Sequence, residues 1–212
     1  MEKRTIASIS ATCGILWIFV FQYVLTTFTD LWQGLASAFH AAYDALGPGL
    51  FAGTLLVLSG IIFGAFVFQL LTKRFEVVFA AALGLLYLAT LWYVLFDRTP
   101  GTRGINLDIT QFGAQFAATP LDMMWNIAIF LPLGMVLQLL IKSMWKTSIV
   151  AVVLAVIVEG AQYIFSVGIF DILDILLNVC GIALGALIIS SAMLDGWHFG
   201  MDRHFLAFSR SA

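Results

Sequence analysis

Charge is what this chain has least of: only 10% of its 212 residues are Asp, Glu, Lys or Arg, against roughly a quarter in a soluble domain. Apolar residues make up 62% and mean hydropathy is +1.03, which excludes an ordinary soluble fold. Cysteine is equally scarce. Cys13 and Cys180 suggest neither a disulfide framework nor a metal pair, and both read as buried thiols that simply pack. No run of Lys and Arg forms a basic stripe, so nucleic acid is excluded as a partner. No Ser, His or Cys is placed as a nucleophile beside its base. Glu2, Lys3 and Arg4 precede an apolar run as in a signal peptide, but Ile6 to Phe28 is too long for that and no small-residue cleavage site follows. It reads as a first membrane helix.

What is abundant is apolar sequence in runs of membrane length. A bilayer core takes about 20 helical residues per crossing, and such runs fall near residues 6–28, 48–71, 76–96, 122–141, 147–167 and 172–194. The fold class expected is an all-α integral membrane protein with six transmembrane helices. If these alternate, Lys3, Arg4, Lys73, Arg74, Lys142, Lys146, Arg203 and Arg210 share one side and only Arg98 and Arg103 lie on the other. Basic residues gather on the cytoplasmic side of short loops, so both termini are expected to be cytoplasmic. Between the first two spans, Asp30 to Gly47 alternates apolar and polar residues at helical spacing, an amphipathic helix expected along the outer surface. Gly60 and Gly64 form a small-xxx-small pair that lets two helix backbones approach.

The polar residues inside the later spans carry the functional signal. Asn126 lies in the outer part of the fourth span, Glu159 and Gln162 toward the outer end of the fifth, and Asp171, Asp174 and Asn178 at the outer start of the sixth. Separations of three and four put the members of each set on one helix face. An ionisable side chain at membrane depth costs about 2.5 to 3.5 kcal/mol on the translocon insertion scale, whereas an interhelical hydrogen bond returns about 0.6 kcal/mol. Three carboxylates with no Lys or Arg within the spans therefore ask for protonation, a cation or an Arg from a loop. The loop from Asp97 to Thr119, with Arg98, Arg103, Asn106 and Asp108, is expected to cap a polar pocket opening toward the outer leaflet. Asp171 also suits a helix cap, Gly181 and Gly185 a close-packing seam, and Pro132 a kink. The opposite ends of the spans are expected to lack matching polar groups.

Three blocks carry a resemblance: NIAIFLPLG from Asn126 to Gly134, VEGAQ from Val158 to Gln162, and DILDILLNVCGIALG from Asp171 to Gly185. Together they resemble the VanZ-like membrane proteins, over about the last half of the chain. Arg103 to Asn106 is similar to that family's loop before the Asn helix, although Asp108 stands where a Pro-Phe pair is expected. The family is named for a member associated with low-level resistance to teicoplanin, a lipid-tailed glycopeptide acting outside the membrane. The resemblance implies a bacterial cytoplasmic membrane and carries Asn126, Glu159, Gln162, Asp171, Asp174 and Asn178 over as functional candidates.

The organisation expected is a two-span region with its amphipathic connector over 1–75, a four-span bundle over 76–195 and a cytoplasmic tail over 196–212. The function expected is binding of a cell-envelope amphiphile: a membrane lipid, a lipid-linked precursor or a lipoglycopeptide. Asn126, Gln162, Asn178, Arg98, Arg103 and Asn106 are the candidates for substrate binding. The alternative is a membrane-embedded enzyme in which Glu159, Asp171 and Asp174 act as acid, base or ligands to a divalent cation. A proton-coupled carrier using Glu159 is a third class, against which no inverted repeat is evident. No cofactor is implied outside the divalent cation of the enzyme alternative.

Overall fold

A computed structural model describes residues 2–27, 29–96, 100–201 and 203–210. The chain is 80% helical, and six of its helices are long and apolar enough to cross a membrane. They are α1 (Lys3–Thr27), α3 (His40–Thr72), α4 (Val77–Phe96), α6 (Pro120–Ile141), α7 (Met144–Ile164) and α8 (Ile172–Leu194), with the short α2 (Thr29–Ala38) and α5 (Phe112–Ala118) between them. Among the described residues five short strands punctuate the helices: β1 (Arg74–Glu76), β2 (Thr102–Asn106), β3 (Val167–Asp171), β4 (Trp197–Met201) and β5 (Phe205–Arg210). Large apolar side chains on every spanning helix are exposed, among them Phe19, Ile61, Leu85, Leu140, Ile157 and Leu187, as suits helices whose outer faces meet lipid. This is a multi-pass membrane protein.

The chain divides into two compact units. One comprises residues 1–77 with 201–207, the other 78–200 with 208–212. In the first, α1 lies against α3 along Ser10, Gly14, Gly60 and Gly64. A Cβ on Gly14 would stand 2.6 Å from the Gly60 carbonyl oxygen, and one on Gly60 would stand 2.9 Å from that of Gly14. Only glycine permits that approach. The amphipathic stretch differs from the single helix its periodicity predicts. Phe39, outside helical geometry at φ −115° and ψ 34°, separates α2 from α3, and Gly47 breaks α3 again at φ 75°. Those breaks let Trp32 fold back on Tyr43 and Phe51, with ring centroids 6.2 and 5.8 Å away. β5 then pairs antiparallel with β1, Phe75 opposite Leu206, and the Arg74 guanidinium lies 4.4 Å from the Phe205 ring centroid.

The second unit holds four spanning helices around a core of Leu91, Leu95, Phe130, Ala151 and Ile182. Contacts between α6 and α8 advance together, from Asn126 with Asp174 to Gln138 with Ser190, so these two helices run parallel. α7 runs against them, because Thr147 near its start meets Gln138 while Glu159 near its end meets Asp171. Direct backbone contact makes the α6–α8 seam possible: a Cβ on Gly134, Gly181 or Gly185 would fall on the carbonyl oxygen of Ile182, Ile127 or Leu131. Pro132 sits in the middle of α6 and cannot donate to the carbonyl four residues earlier. The neighbouring carbonyl, that of Ile129, accepts a 2.6 Å hydrogen bond from the Tyr87 hydroxyl, which ties α4 to this weakened turn.

The structure differs from two further expectations. Cys180 is exposed rather than buried, because Asn178, Gly181 and Gly185 take the buried face of α8 and leave the residue between them turned outward. The ends of the spans opposite Asn126 do carry polar groups. The Thr147 hydroxyl donates to Gln138 Oε1 at 2.7 Å, and Gln138 Nε2 donates to Ser190 Oγ at 2.9 Å, a buried chain joining α7, α6 and α8.

Candidate functional site

β2 and β3 determine the geometry at the Asn126 end of the second unit. They pair in parallel, Thr102 opposite Val167 through Asn106 opposite Asp171, and the ribbon opens with the Gly101 N–H donating to the Ser166 carbonyl at 2.8 Å. The segment expected to cap a site is thus a strand laid beside the chain that enters α8. Its last residue carries the first polar contact: Asn106 Nδ2 donates to Asp171 Oδ2 at 2.9 Å.

Asp171 is at once the N-cap of α8. Its other oxygen, Oδ1, accepts from the Leu173 N–H at 2.8 Å, satisfying one of the orphan donors of the first turn. The N–H of Asp171 points to Glu159 Oε2, a long bond of 3.4 Å. In a capping box the third helical residue would accept that N–H. Here α7 supplies Glu159 for the purpose, and Asp174, the residue in the box position, instead accepts from Asn126 Nδ2 at 2.9 Å. Both aspartates lie in the positive field of the α8 N-terminus, which offsets part of the cost of their charge.

Strand, α6, α7 and α8 therefore each contribute a polar side chain to one end of the unit. Glu159, Gln162 and Asn178 are buried, at 1, 1 and 2% exposure, while Asn106, Asn126, Asp171 and Asp174 are half-buried. Gln162 turns aside from the group. Its Nε2 donates to the Leu95 carbonyl at 2.9 Å, fastening the end of α7 to the end of α4, and its Oε1 is buried without a hydrogen-bond partner. Asn178 lies one turn beyond Asp174 on the α6-facing side of α8. Arg103 lies with its guanidinium carbon 4.4 Å from the ring centroid of Tyr163. Arg98 falls outside the described residues. Among the described residues no group of three or more His, Cys, Asp or Glu is arranged to hold a metal ion.

Asp108, two residues past the ribbon, organises the turn that follows. Its carboxylate accepts from the Thr110 hydroxyl, the Thr110 N–H and the Gln111 amide, while its own N–H donates to Asn106 Oδ1 at 3.1 Å. Those donors, the Thr110 hydroxyl foremost, hold its carboxyl below the usual carboxylate range. A lowered folded value stabilises the turn at pH above the ordinary carboxylate pKa and loses that contribution as pH falls through the folded value. Amide exchange at residues 108–111 is expected to be slow at neutral pH and to quicken on acidification beyond the intrinsic chemistry. Asp108→Ala is expected to remove that pH dependence.

Two further features of this end have little signal in the sequence. Tyr163 gives Arg103 a platform, and its only signal was its place beside Gln162. The second is a groove of about 390 Å³ lined by Trp92, Tyr93, Phe96, Phe165 and Val167, which none of the anticipated residues enters. Phe96 stacks on Trp92 at 4.4 Å and meets Phe165 edge-on at 6.1 Å.

The family model described as VanZ/LLP1 matches residues 79–194, more than half of the chain. The chain belongs to the VanZ/LLP1 family. That match begins with α4 and ends with α8, so the VanZ/LLP1 region takes in the four spanning helices of the second unit, the β2–β3 ribbon and every residue of the polar group. No curated protein and no solved structure gave a match.

Proposed function

We propose that this VanZ/LLP1 protein is a binding module that holds the head of a cell-envelope amphiphile at the outer leaflet, and that it contributes in this way to tolerance of teicoplanin. The observation that carries the reading is the meeting of Asn106, Asn126, Glu159, Asp171 and Asp174, from β2, α6, α7, β3 and α8, at one end of the bundle. Carboxylates and amides in such a group read amines and hydroxyls. Their engagement with Asn side chains and backbone N–H groups supports fixed recognition in preference to proton transfer. The opposite end of the bundle carries Lys142 at the α6 C-cap and Lys146 in the first turn of α7, a placement that supports an outward-facing site and a bacterial cytoplasmic membrane.

Expression in a teicoplanin-sensitive bacterium tests the reading. Tolerance should rise with the wild type, stay at the control level with Asp171→Asn/Asp174→Asn, and not extend to the same glycopeptide stripped of its lipid tail. Equal tolerance from the wild type and the double variant would overturn a role for the polar group. Glu159→Gln should retain most of the effect, since an acceptor remains; its complete loss would favour the acid–base alternative.

A further inference from the structure

We infer that the amphiphile is a phosphate-linked lipid, its phosphate taken by Arg103 and one hydrocarbon chain by the groove of Trp92, Tyr93, Phe96, Phe165 and Val167. This rests on the binding reading above and specifies its ligand.

The ribbon supplies the spacing. Val167, which lines the groove, pairs with Thr102 at one end, and Asp171 pairs with Asn106 at the other. Four residues of extended chain cover about 13 Å, so an apolar groove and a polar group lie at the two ends of one short rod. Arg103 is the next residue along β2 from the groove end, opposite Gly168. It lies about 10 Å from Asn106 by the same rise. Along the ribbon axis apolar, cationic and acidic groups thus follow one another in the order chain, phosphate and donor-bearing head, with the Arg103 side chain leaving the ribbon on the face opposite those of Val167 and Asn106.

Arg103 is arranged for an anion. The guanidinium carbon lies over the Tyr163 ring, 4.4 Å from its centroid, a contact that steadies the side chain, and a guanidinium carries the N–H fork that fits two phosphate oxygens. The residue is exposed, so a phosphate at the membrane surface can reach it. The acidic group further along the ribbon repels that phosphate and draws amine or hydroxyl donors instead, which fixes the direction in which the head lies. The groove selects the chain. Its walls are aromatic, it opens on a bundle whose outer faces meet hydrocarbon, and its volume of about 390 Å³ is within the usual range of about 300–1,000 Å³ for small-ligand sites.

The test uses the full chain in dodecyl maltoside, a phosphate-free detergent, doped with phosphatidylglycerol or with diacylglycerol of the same chains. Bound lipid is read by mass spectrometry of the intact protein. The wild type should retain phosphatidylglycerol about tenfold more tightly than diacylglycerol. Arg103→Ala should erase that preference, and Phe165→Ala, at an exposed ring, should weaken retention of both lipids. Equal retention of the two lipids by the wild type, or a preference that survives Arg103→Ala in monodisperse protein, would overturn the phosphate assignment. Unchanged retention in Phe165→Ala would overturn the chain assignment. If the lipid is lost in Asp171→Asn/Asp174→Asn yet indifferent to Arg103, the binding module stands and only its ligand changes. If the wild type retains no lipid, both fall.

Discussion

Gly185→Leu is expected to abolish the folded protein. A Cβ at that position falls on the Leu131 carbonyl oxygen and 2.8 Å from the Met135 nitrogen, both backbone atoms of α6 that no rotamer change can remove. The two helices would have to separate. Separation would strain the Asn126–Asp174 bond at one end of the seam and the Gln138–Ser190 bond at the other. Between membrane helices no hydrophobic gain compensates, because lipid is as apolar as leucine, so close packing itself supplies the association. Overpacking by a single methyl costs about 1 to 3 kcal/mol, and three further carbons cannot be housed. Size-exclusion chromatography in detergent should show monodisperse wild type, reduced thermal stability for Gly185→Ala, and aggregate for Gly185→Leu. Gly84→Ala, where an added Cβ meets nothing within 4 Å, should match the wild type. A monodisperse Gly185→Leu of wild-type stability would contradict the direct α6–α8 contact.

Asp171→Ala should release the β2 strand. The substitution removes the α8 N-cap, a loss of about 0.5 to 2 kcal/mol, and takes from Asn106 its acceptor, another 0.5 to 1.5 kcal/mol or about that. Asp171→Asn keeps one oxygen for the Leu173 N–H but turns its NH2 toward the Asn106 amide, so it preserves the α8 cap, loses the Asn106 bond and is expected to cost less than the alanine change. Hydrogen exchange should separate the two, with amides of residues 102–106 quickening by about an order of magnitude in the alanine variant and by less in the asparagine variant, whose cap on α8 remains. Identical exchange in Asp171→Ala and wild type would mean that Asn106 is not latched through Asp171.

Much of this architecture could be read from the chain because membrane helices announce themselves. Apolar runs of about 20 residues located all six spans, and spacings of three and four put Glu159 with Gln162, and Asp171 with Asp174 and Asn178, on common faces. The three sequence blocks led to the family that the match over residues 79–194 shows. The ribbon was not legible. Asn106 and Asp171 are 65 residues apart, and TRGIN shows no apolar–polar alternation and carries Gly and Asn among its five residues, so tertiary pairing makes it a strand. Cys180 illustrates a different limit: the spacing that buries Asn178 and Gly181 also turns residue 180 away, which hydropathy alone does not reveal. Gln138 escaped notice as a single amide in an apolar run, although Thr147 and Ser190 complete its network from two other helices. Asp108 holds the turn that follows the ribbon, and its N–H donates to Asn106.

On the proposed reading, the polar group at the Asn106–Asp171 end binds an amphiphile and does more than join helices. The most direct measurement extracts and mass-analyses the lipid that copurifies with the wild type and with Asp171→Asn/Asp174→Asn, prepared in parallel in mild detergent and matched for folding by thermal unfolding. A lipid species enriched with the wild type and missing from the double variant is the predicted result. Identical lipid profiles from two equally folded proteins would contradict it and leave the carboxylates as helix-joining groups.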